Sequence, residues 1–369
     1  MSKLKIAFVI PTMDQGGAEK QLTLLAAGLP KEQFDVHVFL LTRDGPRSET
    51  LRANGVPVTV IGKRFKLDPT ALFRLKKHLR SFQPDIVHTW LFAANSFGRL
   101  AASLANVPTI IGSERCVDPW KRWYQFAIDR WLAKRSQAIT TNSEGVVDFY
   151  AQHGIDRSLF RVIPNGISPR QSAPLDRSQA CRRLGVADDR RLVFAVGRPW
   201  PQKRYRDLIW AAEMMAAVDP RITLVVIGDG PQKYELLRFR DDVTSSQTVT
   251  FVGHRDDVEQ LLPHAEVFWN GSEYEGQSNS IIEAMQAAVP VIASDIAGNR
   301  DLIKDQVTGR LVTLGDRAAL AQTTLELLND VDEAAILGKQ AKQFISNEFT
   351  IEQLIQRHAA LYQEFQSPS

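Results

Sequence analysis

Glu275-Gly-Gln-Ser-Asn-Ser-Ile-Ile-Glu283-Ala-Met285 sets two carboxylates eight residues apart. The first lies in a glycine-containing loop and the second one turn into an apolar helix. The β-rich runs Glu266–Trp269 and Val291–Ala293 flank the stretch, so it reads as the loop and helix of a strand–helix–strand unit. Backbone N–H groups, a helix N-terminus and two hydrogen-bond acceptors then surround one small cavity. That cavity suits a ligand anionic at one end and rich in hydroxyls at the other, as a nucleotide-activated sugar is. Taken alone, the same acids could simply complement a helix macrodipole; the rest of the chain decides between the two.

The alternation extends in both directions. In the first half, apolar runs at Lys5–Ile10, Val36–Leu41, Ile86–His88, Thr109–Ile111, Ala138–Thr141 and Phe160–Ile163 are separated by helix-like segments such as Gly17–Leu29, Pro69–Phe82 and Ala93–Ala105. The pattern restarts at Leu192–Val196, Thr223–Ile227 and Thr250–Val252. Strands alternating with helices predict βαβ units, parallel sheets and ligands beyond the strands' carboxyl ends. Pro164-Asn-Gly-Ile-Ser-Pro169 through Pro174 is rich in turn formers, which sets the hinge there and the domains at 1–164 and 165–349. After about Gly315 the chain reads as helix to its end. The expected α/β architecture is two Rossmann-like domains facing across a cleft. A chain of 369 residues has room for two cores of roughly 150–200 residues each.

Composition narrows the setting. Apolar residues make up 44% and charged residues 24%, ordinary globular values. Two cysteines, Cys116 and Cys181, form no disulfide framework, so a reducing cytoplasm is the expected compartment. The run Ile6–Ile10 is too short for a signal peptide, and nothing approaches the ~18–20 apolar residues of a membrane span. Residues 1–165 hold 23 Lys and Arg against 14 Asp and Glu, and residues 166–369 hold 22 against 28. The basic front half predicts either ordinary surface variation or contact with something acidic, such as an anionic membrane or a lipid phosphate. No nucleic-acid-binding module is apparent.

Three further loops join strands to helices. Asp14-Gln-Gly-Gly-Ala-Glu19 follows the first run, and Gly16 and Gly17 let a ligand approach the backbone at a helix N-terminus. The absence of GxGxxG argues against a dinucleotide. Gly228-Asp-Gly-Pro231 is similar. In Gly197-Arg-Pro-Trp-Pro-Gln-Lys203, Arg198 and Lys203 are either solvated loop cations or two positive charges for a diphosphate. Metal ligation is not expected: the seven histidines and two cysteines show no ligand spacing, and Asp330-Val-Asp332 reads as a turn and helix cap. No GxSxG nucleophile motif occurs.

Gly-Gly-Ala-Glu at 16–19, Ile-Pro-Asn-Gly at 163–166, Gly-Arg…Lys at 197–203, Gly-Asp-Gly-Pro at 228–231 and the Glu-x7-Glu block at 275–283 occur together and in order. In this the chain, from about residue 5 to residue 365, resembles the retaining, GT-B-fold glycosyltransferases of family 4, also called group 1. The resemblance implies transfer of a hexose or N-acetylhexosamine from a UDP- or GDP-sugar to a glycan or lipid-linked saccharide, without a metal or other cofactor. It puts Gly17 against the donor diphosphate, Arg198 and Lys203 around it, Glu275 on the donor sugar and Glu283 on the ribose. Gly276, Gln277, Ser278, Asn279 and Ser280 would meet the phosphates and sugar. It further implies an acceptor-side N-terminal domain, a donor-side C-terminal domain, and a last helix near Ile351–Phe365 crossing back so that 350–369 joins the N-domain. Developing negative charge on the leaving diphosphate would be met by Arg198, Lys203 and helix N-termini.

The resemblance is incomplete at two places. Many relatives carry a histidine after the strand that here reads Pro108-Thr-Ile-Ile-Gly-Ser-Glu114-Arg115; Glu114 and Arg115 stand there instead. Glu114 is then a candidate for the acceptor hydroxyl, Arg115 for a phosphate, and His88, in Asp85-Ile-Val-His-Thr-Trp90, for a polar group in the cleft, against a structural role. Gln277-Ser278 replaces the commoner aromatic or proline followed by Gly, which leaves the donor sugar open. Trp90 and Trp120 are candidate acceptor contacts. The segment Pro119–Arg135 is aromatic and basic. It is expected to form a helix with Phe126, Ile128 and Trp131 on the core, leaving Trp120 and Lys121 for acceptor or membrane. A non-catalytic sugar-nucleotide-binding partner and a nucleotide-sugar epimerase remain alternatives.

Overall fold

Each apolar run forms a strand, because β-branched and aromatic residues are buried there on both faces of a parallel sheet. The computed structural model describes residues 3–169, 173 and 175–366; Pro174, the last of the expected hinge residues, lies outside the described residues. The first sheet comprises β1 (Leu4–Ile10), β2 (Phe34–Leu40), β3 (Val58–Val60), β4 (Ile86–Trp90), β5 (Thr109–Glu114), β6 (Ala138–Thr141) and β7 (Phe160–Val162). Its order is β3-β2-β1-β4-β5-β6-β7, parallel throughout. The second comprises β8 (Arg191–Val196), β9 (Ile222–Ile227), β10 (Val249–Gly253), β11 (Val267–Asn270), β12 (Val291–Ser294) and β13 (Arg310–Val312). It is ordered β10-β9-β8-β11-β12-β13 and is also parallel. Two Rossmann-like sheets of this kind are the GT-B fold. The edge strands β3 and β13 have no counterpart in the sequence reading; each has three residues, mostly half-exposed, too short for a periodic signal.

The chain divides into two compact units, Met1–Gly166 with Thr350–Ser369, and Ile167–Phe349. In the first, the helix Gly17–Gly28 covers one face of the sheet with Leu22 and Leu25, and the helices Pro69–Phe82 and Phe92–Ala105 cover the other with Leu75, Leu79, Ala101 and Ala102. The last helix, Ile351–Glu364, returns to this unit. Thr350 caps it by accepting from Gln353 N–H, satisfying one of the orphan donors of the first turn. Leu354, His358, Leu361 and Tyr362 are buried at helical spacing, and Leu354, Leu361 and Tyr362 join the core of β1 and β2. Burial is worth about 1.5–3 kcal/mol for each large apolar side chain. Where the chain leaves this unit, the Gln21 amide mimics a strand partner: it donates to Gly166 O at 2.9 Å and accepts from Gly166 N at 2.8 Å.

The second unit buries Phe194, Val225, Phe268 and Ile282 on one side of its sheet and Val193, Val226, Ile209 and Trp269 on the other. Trp269 Nε1 donates to Thr324 Oγ1 at 2.9 Å, so the largest ring of this core has no orphan donor. Asp330 caps the helix Val331–Glu348 by accepting from Glu333 N–H, the cap role expected of it. Among the described residues no helix is long and apolar enough to cross a membrane.

Candidate functional site

In the second sheet the strand order reverses between β8 and β11, and ligands of open parallel sheets collect beyond the carboxyl ends at such a switch point. After β8, the Gly197–Trp200 loop enters a 3₁₀ turn at Pro201–Lys203, and Arg204, at φ 51, turns it into the helix Tyr205–Ala216. After β11, residues 271–278 lead into the helix Asn279–Gln286. The two loops are tied three times. Glu273 N–H donates to Gln202 O at 2.8 Å, Gln202 Nε2 donates to Tyr274 O at 3.3 Å, and the Lys203 ammonium pairs with Glu275 Oε1. Ser272 Oγ donates to the same oxygen at 2.8 Å. Among the described residues Glu275 Oε2 and the exposed Arg198 guanidinium have no hydrogen-bond partner. The Lys203 and Glu275 side chains are 19% and 11% exposed: desolvated enough to interact strongly, open enough to exchange partners.

Close backbone packing shapes this mouth. A Cβ at Gly298 would run into the carbonyls of Glu275 and Gly276, and one at Gly228, already at φ 142, would strike the Gly197 carbonyl. Ser278 is the N-cap of the Asn279–Gln286 helix but makes no side-chain cap; its hydroxyl accepts from Asn270 Nδ2 at 3.2 Å and lies 3.0 Å from Ser280 Oγ. Gln277 and Ser278 are buried. Asn279 and Glu283, four apart, share one face of the helix. The tyrosine at 205 donates to Gly197 O at 2.9 Å, and burial, with Glu275 nearby, raises its pKa. The structure therefore brings Lys203, Glu275 and Gly276 to Ser280 together, with Arg198 on the same β8 loop. Ser272, Gln202 and Asn270, which the sequence reading omitted, hold them there.

The first unit departs further from expectation. Gly16 is the N-cap of the Gly17–Gly28 helix, with the Glu19 carboxylate folded across it, and Gly17 is exposed. His88 does not line an accessible site. It is fully buried, Nδ1 2.8 Å from Tyr362 Oη and Nε2 3.0 Å from Thr140 Oγ1. Burial, then the neighbouring His358 and Arg115, hold its pKa well below the usual histidine value, so it is a neutral core pin. Trp90 is likewise fully buried, under the Arg115 guanidinium at 4.8 Å, and not an acceptor platform. Arg115 is buried and donates to Asn165 Oδ1; burial lowers its pKa to about 9.

Glu114 is enclosed with both oxygens engaged, accepting from Asn95 Nδ2 at 2.9 Å and lying 3.0 Å from Tyr150 Oη. Lys121 is no surface residue: its ammonium sits 3.0 Å from Asp129, 3.1 Å from Asp118 and 3.7 Å from Glu114, and donates to Tyr150 Oη at 2.7 Å. Arg99 meets the other Asp129 oxygen at 3.2 Å. Three carboxylates share two cations, and burial pushes the Glu114 carboxyl up to about 7. The helix after this cluster, Trp123–Ala133, also corrects the reading: Phe126 is buried, but Ile128 and Trp131 face outward. Trp120 is exposed as expected, edge-on to Phe92 at 5.6 Å. Phe92 follows Leu91, which stands at φ 69, ψ 155 at the end of β4, beside the first sheet's own switch point. Such a conformation is rare for a non-glycine residue.

Comparison with known proteins bears on these halves separately and together. The profile described as "Glycosyltransferase Family 4" matches residues 15–171, and that described as "Glycosyl transferases group 1" matches residues 190–330. The chain belongs to the family 4, group 1 glycosyltransferases. It is 28% identical to the UDP-Gal:alpha-D-GlcNAc-diphosphoundecaprenol alpha-1,3-galactosyltransferase of Escherichia coli, over 98% of this chain and 97% of that one. It is 29% identical to the GDP-mannose-dependent alpha-mannosyltransferase of Mycobacterium tuberculosis, over 66% and 64%. The solved structure of Anabaena Alr3699/HepE in complex with UDP-glucose shares the fold at a TM-score of 0.88, 24% identity, and coverage of 98% and 100%.

As a glycosyltransferase of this family, the chain is an enzyme that moves a sugar from a nucleotide-sugar donor to an acceptor. Lys203 and the stretch from Glu275 to Ser280 meet at the β8/β11 switch point of the C-unit. Its substitutions for the family histidine, Glu114 and Arg115, are built into the N-unit core. Among the described residues no group of three His, Cys, Asp or Glu side chains is arranged to hold a metal ion.

Proposed function

We propose that this glycosyltransferase is retaining and metal-independent, and moves a hexose or N-acetylhexosamine from a UDP- or GDP-sugar to a glycan or lipid-linked saccharide on the cytoplasmic side of a membrane. The observation that carries the reading is the Lys203–Glu275 pair at the β8/β11 switch point, with a second oxygen of Glu275 and the guanidinium of Arg198 still available. The donor diphosphate draws the Lys203 ammonium and Arg198 to itself. Glu275, so released, accepts hydrogen bonds from the sugar hydroxyls. The first turn at Asn279 and Ser280 adds a helix N-terminus for the phosphates, and Glu283 takes the ribose. Gly17 meets the diphosphate by the family resemblance. The C-unit is then the donor side and the N-unit, with Trp120, the acceptor side.

As the nucleoside diphosphate leaves, its charge grows; fixed cations and amides that stabilise the departing form more than the bound donor lower the barrier. Arg198 and Lys203 can supply that charge, which supports a reaction without a metal. Retention is supported by the resemblance and by the alpha products named for the two relatives. The name of the Escherichia coli relative also supports an undecaprenyl-diphosphate-linked or similar saccharide as acceptor class. The test is an assay of nucleotide release from UDP- and GDP-sugars in excess EDTA, followed by NMR of the product anomer. Activity surviving EDTA with the donor's anomeric configuration kept is the expected result; loss of activity in EDTA, restored by a divalent ion, contradicts it.

A further inference from the structure

The helix Trp123–Ala133 is apolar on two opposite faces, and the protein covers only one. Phe126 and Ala133 pack in the cluster with Ile139, Val146 and Tyr150. On the other side Trp123, Tyr124, Ile128 and Trp131 are 80%, 45%, 41% and 45% exposed. Tyr124, Ile128 and Trp131 follow i, i+4, i+7 spacing, and all four fall within an arc of about 140° at 3.6 residues per turn. An isolated exposed aromatic is unremarkable, but three on one helix face mark a contact surface.

The charges identify the contact. Arg122, Arg130, Lys134 and Arg135 are all exposed around this stripe. The only acid between Arg122 and Arg135 is Asp129, which is turned inward onto Arg99 and Lys121. The outward face of the helix is therefore basic and carries no carboxylate of its own. Arg135 stacks 3.7 Å over the Trp131 ring while donating to Trp131 O at 2.9 Å, and Trp123 and Tyr124 meet edge to face at 6.0 Å. The stripe is thus partly pre-ordered. Indole and phenol rings seat at the boundary between headgroups and acyl chains, where ring and polar atom are both satisfied. Interspersed Arg and Lys are attracted to anionic headgroups.

We propose that this face of Trp123–Ala133 is a lipid-docking surface, by which the enzyme lies on a bilayer containing anionic phospholipid with the helix in the interfacial plane. It deepens the proposed function, on whose lipid-linked acceptor it rests for its purpose. Lipid binding and sugar transfer are nevertheless read by separate measurements, so failure of one is distinguishable from failure of the other.

The experiment is co-sedimentation of the full chain with vesicles of phosphatidylcholine alone and with phosphatidylglycerol added, for wild type, W123A/W131A and R130Q/K134Q/R135Q. Wild type is expected to bind the phosphatidylglycerol vesicles and to release as salt is raised past a few tenths molar. Each variant is expected to lower that partitioning by roughly tenfold or more. Circular dichroism melting and nucleotide release from the donor should stay at wild-type values, showing that fold and site are intact. Absence of wild-type binding to the anionic vesicles overturns the proposal, as does undiminished binding of W123A/W131A. A wild-type dimer that W123A/W131A converts to monomer, with no vesicle binding, would assign the face to a second copy of the chain and equally overturn it.

Discussion

Each unit contains a lysine ion-paired inside the protein, with three carboxylates in one and a single carboxylate in the other, and the two arrangements differ in what they leave open. In the N-unit Lys121 is sealed with Glu114, Asp118 and Asp129, its side chain and that of Asp129 fully buried. In the C-unit Lys203 and Glu275 form a partly open pair in two loops that meet at a strand-order reversal. Desolvated charges cannot change partners without a large cost, so the first cluster is a structural core. The second is open enough to change partners, and in the proposed reaction it exchanges its internal pair for a phosphate and a sugar hydroxyl. Similar side chains thus differ in role through exposure and position on the sheet.

Removing the buried cation tests the first half of that contrast. Lys121→Met leaves three carboxylates around a vacated ammonium and is expected to cost about 3–5 kcal/mol, read from the urea midpoint. In the C-unit, Lys203→Met and Glu275→Gln are expected to lower kcat/KM for donor turnover roughly a hundred- to a thousandfold, with unfolding free energies within about 1 kcal/mol of wild type. An equal loss of stability at both sites would erase the distinction. His88→Gln sharpens it: breaking the Tyr362 and Thr140 contacts should cost about 1–3 kcal/mol without changing turnover per folded molecule. A turnover defect in a stably folded His88 variant would return that residue to the active site.

The last test of the contrast is a pH dependence. The folded state keeps a proton on Glu114, whose pKa is raised from 4.5 to about 7, where the unfolded chain has already released it. Stability is therefore lost as pH rises through that window, by up to about 1.4 kcal/mol per unit. Glu114→Gln removes this component, so the stability of wild type relative to the variant should decline between pH 5 and 7 in urea titrations. A flat difference would mean that Glu114 is ionised throughout.

The parallel sheets were legible because their central strands are continuous apolar runs bounded by glycine and proline. The edges β3 and β13 were not, since three half-exposed residues carry no period. Lys203 and Glu275 could be found from motif order, but their pairing could not: they are 72 residues apart, joined only by the adjacency of β8 and β11. Ser272, Gln202 and Asn270 carried no signal because their work is done by loop geometry. His88 and Trp90 misled because a polar or aromatic residue at a strand end looks the same in sequence whether or not another helix covers it. Here Tyr362, from the far end of the chain, covers His88. The helix Trp123–Ala133 misled for a related reason: it is apolar on both sides, and periodicity does not tell which side meets the core.

The most direct test of the account is donor binding to wild type, K203M, E275Q and K121M, followed by thermal shift against UDP-, GDP- and ADP-sugars with and without EDTA. The account predicts stabilisation of wild type by a UDP- or GDP-sugar that survives EDTA, lost in K203M and E275Q and retained in K121M molecules that fold. Unchanged stabilisation of K203M and E275Q, or a wild-type shift abolished by EDTA, would contradict it.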